Sequence, residues 1–329
     1  MTTSAARPAT LEDVARVAGV SRATASRVLA RTGSVSPATR DRVAAAAKQL
    51  GYVPNQAARA LVRGSGVRLA VAVTGSTDAV LDDPYIDRVV AAAARVCGPQ
   101  GLGVTLHWLP RHAPETLRRL VADRGICGVV LVNTTSPVLD AVPRSLRGRV
   151  ASIGIGSPAV PAFDVDNGAG AEAVLHHLHA TGRRRIAMVT GPRWLVCAER
   201  SVHTYRRMAG EAGLPVRLVR GDFTAARGRS AAHEVLERWP DTDAVFAASD
   251  ATALGVIAGL RQTGVRVPGD VAVAGFDDIP LAELSTPALT TASHPVGRIA
   301  TAAAQAVLDR RAVPPVTFFP SALVARDSA

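Results

Sequence analysis

Apolar positions in the first fifty residues recur at helical spacing in three short runs. Leu11, Val14, Ala15 and Ala18 fall at i, i+3, i+4 and i+7, which predicts a helix with one buried stripe. Thr10 stands before that run with Asp13 three positions on, a capping box in which Asp replaces the usual Glu. Gly19 ends the helix in a tight turn and Ser21 caps the next. There Ala25, Val28 and Leu29 form the inward face, while Arg22, Ala23, Ser26 and Arg27 share the opposite one. Ser36 caps a third helix, with Pro37 at its first position and Gly51 just past its end. Its stripe is Val43, Ala46, Ala47 and Leu50.

From Val67 the pattern changes to short apolar runs: VRLAVAV, LGVTLHW from Leu102, CGVVLV from Cys127 and RVASIGI from Arg149. After an FDVDN turn come RIAMVT from Arg185, VRLV from Val216, AVFAA from Ala244 and VAVAGF from Val271. Alanine-rich helical stretches separate most of them, which predicts parallel sheets flanked by helices on both faces. One sheet rarely holds a body this long, so two lobes are expected. Arg63–Gly66 reads as a flexible linker by composition. The expected fold is thus a small all-α helix-turn-helix headpiece joined to a two-lobed α/β core. The expected divisions are a disordered start (1–9), a headpiece (10–54), a hinge and linker (55–66) and the core (67–329).

Two helices joined by a short glycine turn make a helix-turn-helix, whose second helix enters the major groove of DNA. On its outward face Arg22 and Arg27 can donate to guanine edges, and Ala23 can meet a thymine methyl. Thr10, Ser21, Thr24, Ser26 and Ser34 suit backbone contacts that fix the register. A plain three-helix bundle with a solvated basic face is the bland alternative; the coincidence of glycine turn, both caps and basic face weighs against it. Charge agrees. Residues 1–63 carry ten basic and three acidic side chains, against 38 and 27 in the whole chain, so most of the excess lies where phosphates would.

The strings LEDVARVAGVSRATASRVL, SVSPATRDRVAAAAKQLGYVPN and AARAL resemble the DNA-binding region of the LacI/GalR family of bacterial transcription regulators. The resemblance continues through TGRRRIAMVTGP, GDFTAARG, FAASDATALG, RVPGDVAVAGFDDIPLAELSTPALTT and HPVGRIATAA. It implies a hinge helix that enters the minor groove as a pair, with Leu61 as the wedge, Asn55 at its start and Ala58 facing the groove. Gln56–Val62 is too short to be a stable helix alone in water, so it would fold mainly on DNA. A plain linker helix is the alternative. The resemblance also implies a periplasmic-binding-protein-like core with three crossovers and a ligand cleft between lobes. The first lobe is then expected at about 67–163 plus 294–324, the second at about 164–293.

By the same resemblance Tyr85 and Phe223 are aromatic walls of the cleft and Asp277 accepts hydrogen bonds from ligand hydroxyls, a set suited to a polyhydroxylated ring. Core packing or a surface carboxylate is the alternative at each. Three positions depart from the family pattern: Ser201 stands where an arginine is usual, Ser249 where asparagine precedes aspartate, and Gly154 where an acid is frequent. Much of the fork that grips hydroxyls is therefore gone.

An enzyme is not expected. GIGSPA from Gly154 formally fits a dinucleotide fingerprint, but Pro158 and Pro161 prevent the helix on which a phosphate would sit. No G-x-S-x-G elbow occurs, and Cys97, Cys127 and Cys197 lack metal or disulfide spacing. No metal and no cofactor are expected. The unpaired cysteines suit a reducing cytoplasm, and MTTSAARPA lacks an apolar signal core. The expected partners are an operator duplex, a sugar-like effector and a second copy of the chain, with no membrane. A DNA-binding regulator without ligand control and an exported solute-binding protein are the competing readings.

Overall fold

The computed structural model describes residues 9–29, 34–52, 67–113, 115–146, 148–310 and 313–329. The hinge positions Asn55, Ala58 and Leu61, the linker 63–66 and the start 1–8 lie outside them. Two compact units result, 1–63 and 64–329.

In the first unit α1 (Leu11–Val17), α2 (Arg22–Leu29) and α3 (Pro37–Gln49) form where the stripes predict them. The capping box at Thr10 is complete: its backbone N–H donates to Asp13 Oδ2 at 2.9 Å, and Asp13 N donates to its hydroxyl at 3.3 Å. Gly19 (φ 64°) and Gly51 (φ 58°) take the left-handed conformation that ends α1 and α3. Val14, Ala15, Ala18, Ala25, Val43, Ala46 and Ala47 are buried together, with Leu11, Val28, Leu29 and Leu50 closing the edges. The residues are small, so the core is thin.

The second unit holds two six-stranded sheets. The first contains β1 (Arg68–Gly75), β2 (Gly103–Pro110), β3 (Ile126–Val132), β4 (Val150–Ile153), β5 (Ala162–Val165) and β11 (Val316–Phe319), in the order β11-β5-β4-β3-β1-β2. The second contains β6 (Ile186–Val189), β7 (Arg217–Val219), β8 (Ala244–Ala247), β9 (Ala272–Asp277), β10 (Thr290–Ser293) and β12 (Leu323–Val324), in the order β12-β10-β9-β8-β6-β7. All pairings are parallel except β10 with β12. The central strands are buried on both faces, as parallel sheets covered by helices require.

Two expectations are corrected here. FDVDN is not simply a turn: Ala162–Val165 is a buried strand paired with β4 and β11, and only Asp166 begins a helix. The sheet boundaries also differ from the expected lobe limits. Asp164 and Val165 belong to the first sheet, while Leu323–Val324 pair antiparallel with β10 in the second. A run of alternating apolar residues fixes that a strand forms, not which of two sheets it joins.

Helices α4 (Pro84–Cys97) and α12 (Val296–Asp309) pack together against the first sheet. Helix α7 (Asn167–Ala180) packs on α8 (Val196–Glu211) and on strands of the second. The chain thus passes between sheets after β5, after β10 and after β11, the expected three crossovers.

Candidate functional site

On α2 the described residues separate cleanly by face. Ala25 is buried, whereas Ser21, Arg22, Ala23, Ser26 and Arg27 are exposed. Ser21 Oγ accepts from Thr24 N at 3.1 Å and lies 2.9 Å from the Thr24 hydroxyl, so both are committed to the helix start. Thr10 is likewise held, its hydroxyl donating to Asp13 Oδ2 at 2.7 Å. The arginines are only loosely held: Arg27 Nε donates to Ala23 O at 3.4 Å, and Arg22 lies 3.7 Å from Glu12 across open surface. Exposed pairs of this kind are weak enough for a phosphate or a base edge to displace. Ser34 is exposed ahead of α3.

In the second unit, strand ends and helix starts converge on one cleft. An inner cavity of about 70 Å³ is lined by Tyr85, Ser201, Phe223, Ser249, Asp277 and Gly154, every cleft position that the sequence singled out. It adjoins an outer cavity of about 610 Å³, with Asp83, Asn133, Leu195 and Phe223 on both walls. Asn133, Gly154 and His294 directly follow β3, β4 and β10, and Asp277 ends β9. The arrangement obeys the rule that open α/β sheets bind ligands beyond the carboxyl ends of their strands.

The backbone is unusual at this place. Asn133 (φ 53°), Phe223 (φ 73°) and Asp277 (φ 116°) occupy the left-handed region that favours glycine, beside Gly154 (φ 117°). Such conformations are held only where the surroundings fix them, and they concentrate at ligand sites. At Phe223 the fit is tight: a Cβ on Gly191 would come within 2.5 Å of the phenyl ring, so the ring rests directly on backbone.

The polar groups explain what became of the departures. Ser201, buried on α8, donates to the backbone carbonyl of Asn167 at 3.2 Å. Its neighbour Arg200 turns instead to Asp164, with its guanidinium 5.0 Å above the Phe318 ring. Ser249 caps α10 (Asp250–Gln262) by accepting from Thr252 N at 3.3 Å and lies 3.4 Å from Phe223 O. Both serines therefore serve the protein's own backbone.

Sequence reasoning missed the acids and the histidine between these positions. Asp83 caps α4, accepting from Tyr85 N at 2.9 Å; burial and the nearby Asp277 push its carboxyl up to about 7. Burial likewise raises Asp277 and Asp164, the latter against the pull of Arg200. His294 Nδ1 lies 2.9 Å from Asp277 Oδ1, and burial lowers its imidazole to about 4, so the ring is neutral. Among the described residues its Nε2 is buried without a partner, and its ring stands 5.0 Å from that of Tyr85. The signals were faint: Asp83 is an N-cap before Pro-Tyr, Asp164 was hidden in the presumed turn, and His294 follows TTAS with no periodic cue.

Residues 10–55 match the family model for bacterial regulatory proteins of the lacI family, and residues 175–329 that for a periplasmic binding protein-like domain. Over 315 residues the chain is 36% identical to the HTH-type transcriptional regulator CelR of Thermobifida fusca, with 92% of each protein covered. The chain belongs to the lacI family. A solved complex of CelR with cellobiose matches with a TM-score of 0.70 at 32% identity, covering 98% of this chain and 100% of that one. The lac repressor dimer bound to operator and the anti-inducer ONPF matches with a TM-score of 0.83 at 25% identity, covering 98% and 99%.

Other chemistry that the sequence raised finds no support in the geometry. After Gly154 the chain makes a bridged turn, Ser157 to Val160, and enters β5 with no helix between. Among the described residues no three His, Cys, Asp or Glu side chains can hold a metal ion, and no helix is long and apolar enough to cross a membrane.

Proposed function

We propose that this lacI-family protein is a transcription repressor that binds a pseudo-palindromic operator as a homodimer, with an affinity set by a small polyhydroxylated effector in the interlobe cleft. The observation that carries the reading is the convergence of Tyr85, Ser201, Phe223, Ser249 and Asp277, distant in sequence, on one strained cavity at the strand ends. Arg22 and Arg27 read base edges, Ala23 meets a thymine methyl, and Thr10, Ser21, Thr24, Ser26 and Ser34 set the register on phosphates. Two-fold symmetry presents two α2 helices to successive half-sites. The hinges follow, with Asn55 starting each, Ala58 facing the minor groove and Leu61 wedging the central step. The effector biases lobe closure and thereby the spacing of the hinges. The solved lac repressor dimer on its operator and the CelR–cellobiose complex support these assignments by likeness.

Mapping the genomic sites that the protein occupies, followed by anisotropy titration of one such duplex with and without a metabolite panel, tests the proposal. A preferred palindrome whose affinity shifts with one compound supports it. Equal affinity for operator and random duplex would remove its DNA half. A preferred palindrome indifferent to every compound would leave a regulator without ligand control.

A further inference from the structure

The chain as a whole is strongly basic, yet its cleft is not. Asp82, Asp83, Asp164, Asp222 and Asp277 border the two cavities, and among the described residues no lysine or arginine does. Two arginines beside the inner cavity are committed elsewhere. Arg88 donates to the carbonyls of Asp277 at 2.8 Å, Asp278 at 3.3 Å and His294 at 3.2 Å, and Arg200 is paired with Asp164.

Hydrogen-bond supply tilts the same way. Among the described residues, Oδ2 of Asp83 and Oδ2 of Asp277 receive no hydrogen bond; only their Oδ1 atoms are engaged. His294 is 8% exposed and lines the inner cavity with Nε2 unpartnered. When its Nδ1 carries the proton toward Asp277, Nε2 is a further acceptor. The donors are already occupied: Ser201 serves Asn167 O, and Asn167 Nδ2 serves Val165 O at 3.1 Å. Among the described side chains of the inner wall, the Tyr85 hydroxyl, the Asn133 amide and the weakly donating Cys197 thiol have no acceptor.

A neutral sugar hydroxyl brings two acceptor lone pairs for each donor, and this wall would leave most of them unmet. A protonated amine brings three donors, no acceptor and a positive charge. It also suits the faces of Tyr85, Phe223 and Phe276, because aromatic faces attract cations. A metal ion does not fit, since among the described residues no three acidic, histidine or cysteine groups converge on a point.

We infer that the cleft takes a small polyhydroxylated ligand bearing a protonated amine, an amino sugar or aminocyclitol, with the ammonium held by Asp83 and Asp277 beside His294. The inference rests on the reading of this cleft as the effector site and specifies its ligand class. The ring hydroxyls meet Tyr85 and Asn133, and its apolar face rests on Phe223.

The test is calorimetry on the full chain with matched pairs: glucosamine and glucose, galactosamine and galactose, inosamine and inositol, with glucose 6-phosphate as an anionic control. The expected result is that the amine of at least one pair binds about tenfold or more tightly than its hydroxyl partner, as a charge-assisted bond to a carboxylate warrants. Asp83→Asn and Asp277→Asn, made separately so that one folded variant suffices, should each erase that preference, weakening the amine about tenfold or more beyond any change in its hydroxyl partner. A hydroxyl compound or the phosphate binding as well as the amines, or a preference that survives both substitutions, overturns the inference and leaves the effector reading intact. No binding by any compound, with DNA affinity equally indifferent, overturns both.

Discussion

At the scale of single residues, the two arginines on α2 and the acids of the cleft carry the sharpest expectations. Arg27 is exposed and held only by a long bond to its own helix, so its removal leaves the fold untouched. Arg27→Ala should relax preference at one operator position by about 1–3 kcal/mol, the usual worth of a bidentate contact to guanine. Affinities for operators permuted at each base measure this, and a uniform loss at all positions would reassign Arg27 to phosphate. Asp83 makes a different argument. Its carboxyl titrates near pH 7 in the folded chain, well above the ordinary value of 3.8, because burial and Asp277 disfavour the charge. The native state therefore holds more protons than the unfolded one between those values, and stability from this group is complete below the lower and lost as pH rises through the upper. Asp83→Asn retains a side-chain oxygen to cap α4 and cannot ionise. Its gain in stability over the parent should grow as pH rises from about 4 to about 7, so that it is smaller at pH 5 than at pH 8, where it reaches about 1–2 kcal/mol after discounting for water that reaches the site. Denaturant melts at the two pH values decide it. Lowered titration of His294, to about 4, acts oppositely by weakening the fold below about pH 6, and so does not mimic the effect.

At the scale of elements, the headpiece was legible almost completely and the core only in outline. Helices α1 to α3 could be read because caps, stripes and stop glycines coincide, and each signal is local. Strands β1, β3, β8 and β9 were legible as dense apolar runs buried on both faces. Strands β10, β11 and β12 were not, because TTAS, VTFF and LV are too short or too polar to stand out, and long-range pairing stabilises them. The cleft divides similarly. Positions carried by family motifs were found, whereas Asp164 and His294 become neighbours of the site only when crossovers bring β5 and β10 beside it. The hinge is the element on which the proposed coupling depends. Under the proposed arrangement a helix over residues 56–62 would gain its stability from DNA and from its twin, and its wedge would unstack one base step at a cost of a few kcal/mol. Leu61→Ala should therefore reduce operator bending while recognition of each half-site persists. Circular-permutation mobility shifts report the bend, and an unaltered angle would refute the wedge.

At the scale of the whole molecule, the excess charge lies in one unit and, under the proposed reading, ligand control in the other. Residues 1–63 carry ten basic and three acidic side chains; subtracting these from 38 and 27 leaves 28 and 24 for residues 64–329. The excess is seven in the small unit and four in a body several times longer. Counterion release should therefore belong to the headpiece, and the logarithm of operator affinity should fall linearly and steeply with the logarithm of salt concentration. Asp277 sits in the body, 14% exposed beside His294, where no phosphate contact is made under the proposed arrangement. The two properties should then separate in one experiment on the full chain. Asp277→Asn should leave the salt slope of effector-free operator binding within error of the parent while abolishing the response to effector. Arg22→Ala and Arg27→Ala should weaken operator binding while the ligand's own affinity for the cleft is retained. A cleft substitution that flattened the salt slope would mean that the body itself lies on DNA, and the division of labour between the units would have to be abandoned.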